Sequence, residues 1–166
     1  MSVGQIAAGA RILADTIAAI APLCVIKPAD ESVTSSTVLQ DDNALVLPVV
    51  ADGTYILVCF LDYEGGTGGS SDIKVQWSVP SGSAMRHQPV GAGTGGGAIT
   101  GFAYAGSTVT SYGTQGAGNL CGLTMIGSVV VGSTAGNVQL LWAQNTSDST
   151  PTIVHAQSFL AMWRIT

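Results

Sequence analysis

The chain has 166 residues, with ten Asp and Glu against five Lys and Arg, and a net charge of −5. Only 9% of its residues are charged and 46% are hydrophobic, whereas soluble domains average about 25% charged residues. This composition excludes a disordered chain, which needs high charge, and a coiled coil, which needs Glu, Lys and Leu in heptads. The scarcity of basic residues also argues against a nucleic-acid partner.

The first element in chain order is a predicted helix over residues 2–21, ended by Pro22. Ser2 and Gln5 have the spacing of a capping box. Apolar residues recur at helical spacing, namely Ile6, Leu13, Ile17 and Ile20. Either the helix packs on its own domain, or residues 1–24 form an attachment arm that docks on a neighbouring subunit or partner. The apolar stretch from Ile17 to Val25 is too short to span a membrane and lacks a basic leader, so we expect no membrane partner and no signal peptide.

From residue 23 onward the apolar period changes to two, which is typical of β-strands. The first predicted strands cover residues 23–27, 32–40, 44–50, 54–63, 72–79 and 84–88. Asp41-Asp42-Asn43 is predicted as a turn rather than a calcium site, because three adjacent residues cannot all face one ion. The strand over residues 54–63 is apolar on both faces, so we expect it to be central and covered on both sides.

The second half continues the same pattern. Strands are predicted at residues 99–103, 108–112, 120–131, 137–145, 152–155 and 159–165. Gly122 and Gly127 are expected to mark bulges or close contacts. About ten strands separated by turn signals every 8 to 12 residues predict an all-β fold. We expect an antiparallel β-sandwich of jelly-roll type over residues 25–166, preceded by the short helix or arm.

No pattern in the chain predicts chemistry. His87 and His155 are far apart, and no G-x-S-x-G motif supplies a nucleophile. Asp62 and Glu64 could form a glycosidase pair, but no aromatic cluster for sugar stacking surrounds them. The glycine-rich stretch 91–97 matches a phosphate loop only formally, because no helix follows it. We therefore expect a protein that is not an enzyme, with no catalytic residue, metal or cofactor.

Several residues are candidates for packing or contact. Cys24, Cys59 and Cys121 are expected to be free core thiols, as in a chain made in a reducing cytosol. The three tryptophans lie in alternating strands, where core packing is the default and a subunit contact is the alternative. They are Trp77, Trp142 and Trp163. Two glycine-rich loops, at residues 64–71 and 91–97, are candidate exposed ligand loops. Their representative residues are Glu64, Gly65, Gly93 and Thr94.

Five segments of the chain resemble a module found in virion proteins of tailed phages that infect actinobacteria. They are residues 29–55 (ADESVTSSTVLQDDNALVLPVVADGTY), 60–64 (FLDYE), 72–82 (DIKVQWSVPSG), 140–146 (LLWAQNT) and 158–165 (SFLAMWRI). The opening GQIAAGARILA, residues 4–14, resembles the short attachment segment that often precedes such modules. The resemblance covers residues 25–166, and its motifs are structural rather than catalytic.

The resemblance implies a jelly-roll-like virion structural protein that assembles as a homotrimer. Because the chain has no long shaft or stalk, it looks more like a head decoration protein, held on the major capsid shell by its N-terminal arm. The alternative is a tail-tip or fibre head that binds a host surface glycan through the two loops. In both cases the expected location is the virion surface, after synthesis in the bacterial host cytoplasm.

Overall fold

The structure is a computed structural model, which describes residues 21–66, 71–94, 97–99 and 102–166. The helix predicted at residues 2–21, with Ile6, Leu13, Ile17 and Ile20, lies outside the described residues. Within the described ranges the chain forms thirteen strands. They are β1 (Leu23–Ile26), β2 (Glu31–Val33), β3 (Gln40–Val49), β4 (Thr54–Glu64), β5 (Ile73–Ser78), β6 (Ala84–Ala92), β7 (Ala98–Ile99), β8 (Tyr104–Ala105), β9 (Thr110–Tyr112), β10 (Cys121–Val130), β11 (Gly136–Gln144), β12 (Thr152–Val154) and β13 (Phe159–Arg164).

The strands form two antiparallel sheets. The larger sheet has nine strands in the order β1-β13-β4-β10-β6-β7, with β12 joining β2 and β4 and with β8 beside β6. The smaller sheet has four strands in the order β3-β11-β5-β9. If β2, β12 and the segment β6–β8 are set aside, eight strands remain. When these eight are numbered 1 to 8 along the chain, their order is 1-8-3-6 in the larger sheet and 2-7-4-5 in the smaller sheet. This is the strand order of a jelly roll, so the predicted fold class is confirmed.

The strands β6, β7 and β8 are an insertion between the fourth and fifth strands of the jelly roll. β6 pairs with β10 from Ala84 opposite Val130 to Val90 opposite Thr124, which widens the larger sheet by one long strand. β8 pairs with β6 and places Tyr104 opposite His87. The larger sheet is therefore broader than the smaller one.

The core lies between the two sheets and follows the period-two pattern. Alternate residues of β4 are buried, namely Tyr55, Leu57, Cys59, Leu61 and Tyr63. From the smaller sheet, Ile73, Val75, Val138, Leu140 and Trp142 face them and are fully buried. Each such side chain contributes about 1.5–3 kcal/mol by leaving water, so the alternation fixes which face of each strand points inward.

Two predictions for the chain between β1 and the first residues of β3 are wrong. Asp41-Asp42-Asn43 is not a turn, because all three residues lie in β3 and Asp42 is fully buried. The strand predicted at residues 32–40 is only Glu31–Val33, because the chain turns at Ser35, which has a φ of 53°. Strand β1 begins at Leu23, two residues before the predicted start of the domain.

Strand β4 is central, between β13 and β10, but it is not covered on both sides by the described residues. Ile56, on its outer side, is 43% exposed. Gly127 marks a close contact rather than a bulge, because β10 keeps an unbroken register with both neighbours. A Cβ at Gly127 would lie 2.2 Å from the carbonyl oxygen of Arg86, so only glycine fits there.

Candidate functional site

The outer face of the larger sheet is the main candidate for a functional surface. On β4, Ile56, Val58 and Phe60 alternate with the buried residues and therefore point away from the core. β13 and β10 flank them, with Trp163 opposite Ile56 and Ile126 opposite Val58. The side chains of Ile126 and Trp163 are 55% and 39% exposed. Apolar side chains thus meet solvent in the centre of the sheet as well as at its edges.

The apolar positions continue across the strands in register. Phe159 lies opposite Phe60, and their ring centroids are 6.0 Å apart. At the edge of the sheet, β1 adds Cys24 opposite Ala161 and Ile26 opposite Phe159. We call this set the outer apolar face. It consists of Cys24, Ile26, Ile56, Val58, Phe60, Ile126, Phe159, Ala161 and Trp163.

Charged residues lie only around this surface in the described part of the larger sheet. Asp62 and Glu64 are at one end of β4, and Arg86 is on β6 at the margin. Contiguous apolar surface of this kind marks an interaction site more often than a solvent-facing one. The outer apolar face is therefore suited to contact with another apolar surface.

The smaller sheet has a different outer face. Lys74, Gln76 and Ser78 point outward from β5, and Gln139 points outward from β11. Several of these polar groups are hydrogen-bonded, as when Gln76 Nε2 donates to the carbonyl oxygen of Ser107 at 2.7 Å. The outer side of β5 is therefore polar, although Val46 and Leu141 lie on the same face of this sheet.

The structure separates the three candidate tryptophans. Trp77 and Trp142 are buried between the sheets, which is the default expectation of core packing. The alternative, that they form a subunit contact, is wrong for both. Their inward direction follows from the strand alternation, which places them with the core residues of β5 and β11. Trp163 belongs to the outer apolar face and alone of the three is available to a partner.

The two candidate ligand loops begin at the same end of the sandwich, but not all of their residues are exposed. Glu64 is only 14% exposed and accepts the backbone N–H of Gly118 at 2.7 Å. Gly65 is buried, and a Cβ there would lie 2.6 Å from the carbonyl oxygen of Ser71. The prediction that these two residues are exposed is wrong, because the segment before β10 folds over them.

In the other loop, Thr94 is exposed and Gly93 is half-buried. Gly93 packs closely against Gly113, where a Cβ would lie 2.4 Å from the Gly93 carbonyl oxygen. Tyr63 Oη donates to the carbonyl oxygen of Gly113 at 2.9 Å. The segment that starts at Gly113 therefore links both loops at this end.

Sequence reasoning missed a buried ionic cluster. Lys27 and Asp42 are 2% and 0% exposed, and Lys27 Nζ lies 2.8 Å from Asp42 Oδ2 and 2.5 Å from Glu31 Oε2. Trp142 Nε1 donates to Asp42 Oδ2 at 3.1 Å, and the backbone N–H of Leu45 donates to Asp42 Oδ1 at 2.8 Å. Because every charge has a partner, the cluster holds β3, β11 and the end of β1 together. The acidic pair in the sequence was the only signal for it.

The two histidines lie in different surroundings, and His155 is paired with a carboxylate. His155 Nδ1 lies 3.3 Å from Asp30 Oδ2, while Nε2 is 3.9 Å from Glu64 and has no hydrogen-bond partner among the described residues. The pKa of Asp30 is lowered, mainly because the backbone N–H of Ala156 donates to it and also because of His155. A carboxylate and a histidine are thus paired, but within the described residues no Ser or Thr hydroxyl is hydrogen-bonded to His155, as acyl transfer by a Ser-His-Asp arrangement requires.

His87 is buried between the sheets beside Trp77 and Tyr104, whose ring centroids lie 6.4 Å and 6.1 Å from that of His87. Within the described residues neither ring nitrogen of His87 has a hydrogen-bond partner, and neither does Trp77 Nε1. Burial lowers the pKa of His87, because the charged imidazolium would lose its hydration. Burial in the interior therefore disfavours the charged form of this histidine.

The described ranges contain no cluster of three or more His, Cys, Asp or Glu arranged to hold a metal ion. The same ranges contain no helix with the length and apolar character that crossing a membrane requires. The thiols differ: Cys24 is exposed, whereas Cys59 and Cys121 are buried. Burial raises the pKa of both buried thiols.

No family model matches the chain, and no curated protein matches it. Two solved structures show weak similarity. A chain of infectious bursal disease virus, Gx strain, is 10% identical with a TM-score of 0.24, and the match covers 87% of this chain and 42% of that one. For the Gt strain the identity is 12%, the TM-score 0.19, and the coverage 86% and 41%. The chain therefore spans less than half the length of these neighbours, and TM-scores this low do not establish a shared fold.

Proposed function

We propose that the chain is a non-enzymatic structural protein of a phage virion. In this proposal it is a capsid decoration protein that assembles as a trimer and attaches to the major capsid shell through residues 1–24. The observation that carries the proposal is the outer apolar face, which has no charged member and on which Ile26, Ile56, Ile126 and Trp163 are exposed to solvent. Apolar surface of this kind marks a site of contact with another surface more often than a face that stays in water.

The fold is compatible with this role. Jelly rolls build many viral capsid proteins, and the sequence resemblance to phage virion modules points to the same class. Trimer formation would combine three weak attachment arms into one tight attachment by raising their effective concentration.

The proposal is tested by immunogold electron microscopy of the virions that contain this chain, with an antibody to the sandwich. Gold in many copies over the heads is the expected result. A chain that lacks residues 1–20 should remain folded, since β1 begins at Leu23, but should no longer sediment with emptied heads. Labelling of the tail alone, or undiminished sedimentation of the truncated chain, would contradict the proposal.

A second candidate is a tail-tip or fibre head that binds a host surface glycan. It is favoured by the convergence of the loops at one end of the sandwich, where Thr94 is exposed and Gly113 links the two loops. Jelly rolls also build lectins. Binding to a glycan array that is lost when residues 91–97 are replaced by a Gly-Ser linker, together with gold at the tail tip, would favour this candidate.

A further inference from the structure

We infer that, in the free protein, residues 2–20 lie on the outer apolar face of the chain's own larger sheet. The inference concerns the isolated chain and adds a resting state to the proposed function without relying on it. Three observations carry it: the position where this segment joins the sheet, the match between its apolar stripe and the face, and the exposure of the face.

The first observation is the connection. The described chain starts at Ala21, and β1, which begins at Leu23, is the edge strand of the larger sheet. Cys24 and Ile26, which belong to the outer apolar face, are on this strand. Loops of 2 to about 6 residues commonly join a helix to a strand that it covers. The segment therefore reaches this face by the shortest route that the chain offers.

The second observation is the pattern of the segment. At about 100° per residue, Ile6, Leu13, Ile17 and Ile20 fall within a stripe of about 60°. Arg11 and Asp15, the only charged residues among residues 2–20, fall on the opposite side of the helix. A helix in this position would place its apolar stripe on the sheet and its charges in water.

The third observation is the size and exposure of the face. The four strand spacings from β1 to β6 span about 19 Å, and a helix of 19 residues is about 28 Å long. One helix can therefore cross the sheet. Ile26, Ile126 and Trp163 would be covered by it, and they are 60%, 55% and 39% exposed in the described structure. Helix on sheet is the usual way in which both elements bury their apolar sides.

Limited trypsin digestion of the full chain tests the inference, because Arg11 and Lys27 are the only basic residues before Lys74 and Lys27 is buried. Cleavage after Arg11 removes a peptide of known mass and requires the segment to leave the sheet. We compare the wild type with Ile126→Glu, which places a charge on the β10 side of the face, opposite Val58. The matched control is Val109→Glu, at a residue that is 46% exposed outside this face.

We expect Ile126→Glu to speed cleavage after Arg11 at least about tenfold, because proteolysis follows the population of the open form. Val109→Glu should leave the rate unchanged. Equal rates in the wild type and Ile126→Glu would overturn the inference. Protection that increases with protein concentration would also overturn it, because the segment would then lie on a second copy. If Ile126→Glu does not fold, Ile26→Glu is used in its place.

Maleimide labelling of Cys24 provides a second readout. Cys24 is the exposed thiol of the outer apolar face, whereas Cys59 and Cys121 are buried. Deletion of residues 1–20 should speed labelling of Cys24 and leave the other two thiols unreactive. Labelling at the same rate in both forms would contradict the inference. Because both experiments use the isolated chain, they can fail without affecting the test of capsid attachment.

Discussion

The outer faces of the two sheets are made from different side chains. The smaller sheet presents Lys74, Gln76 and Ser78, which are compatible with water. The larger sheet presents Ile56, Ile126 and Trp163 at equivalent outward positions. Both sheets bury apolar inner faces, although the smaller sheet also buries Asp42, so the difference between the outer faces is not needed for the fold. It indicates that the outer side of β5 faces water, whereas the outer side of the larger sheet is suited to contact with another apolar surface.

The largest expected difference between the two sheets concerns the carboxylate of Asp42, which the smaller sheet buries on its inner side. Asp42→Ala would leave Lys27 and the indole N–H of Trp142 without their shared acceptor, although Glu31 would still pair with Lys27. We expect a loss of about 3–5 kcal/mol in the free energy of unfolding, measured by urea denaturation. The matched control is Asp41→Ala, at the exposed neighbour in β3. An equal loss in both variants would contradict this assignment.

The next effect compares the two faces of β4 at adjacent residues. Leu57 is fully buried and Ile56 is 43% exposed. Leu57→Ala should lower the free energy of unfolding by about 3 kcal/mol, because it leaves a cavity. Ile56→Ala should cost less than about 1.5 kcal/mol in a chain that lacks residues 1–20. If both variants lose the same stability in that truncated chain, the outer side of β4 is covered by something other than the segment.

A smaller effect concerns pH. The pKa of His87 is lowered by burial from the ordinary value of 6.5. The unfolded chain therefore takes up the proton more readily than the folded chain, and stability falls as pH decreases below about 6.5 until the folded-state pKa is passed. We expect a lower urea midpoint at pH 5 than at pH 7.5. In His87→Gln this part of the pH dependence should be missing. An unchanged pH profile in that variant would show that His87 makes no contribution.

The smallest energetic effect distinguishes the thiols. In the folded chain that lacks residues 1–20, a thiol reagent should modify one of the three cysteines, Cys24, with almost no change in stability. Mass spectrometry after a short exposure measures the number of labels. Cys24→Ser should abolish the reaction. Labelling of Cys59 under native conditions would mean that the larger sheet opens, since burial raises the pKa of that thiol and isolates it from solvent.

Local patterns in the sequence were sufficient to predict the sandwich. The alternation in residues 54–63 and 72–79 identified the buried sides of β4 and β5, because a strand has one repeat whatever its neighbours are. The jelly-roll order also agreed with the number and spacing of the turns. Local patterns could not show the insertion β6–β8. Strand β6 joins the larger sheet by pairing with β10, and the paired residues are more than 30 positions apart along the chain.

The functional residues were harder to predict for the same reason. Asp42 looked like a turn residue because its partners Lys27 and Trp142 are 15 and 100 positions away. Glu64 and Gly65 looked exposed because they begin a glycine-rich stretch, whereas the cover comes from the segment around Gly118. The apolar outer side of β4 was visible in the sequence, but its exposure depends on what the rest of the chain leaves uncovered.

The cluster around Asp42 also has a consequence for folding kinetics. Its members come from β3, β11 and the end of β1, so it can be completed only after strands from both halves of the chain have met. Folds rich in such distant contacts form in about milliseconds to seconds rather than microseconds. Until that step, Lys27 and Asp42 remain hydrated. A collapsed chain in which these charges are still hydrated has not yet brought β1, β3 and β11 together. Closure of the sandwich and loss of water from this ion pair are therefore expected to be one late event.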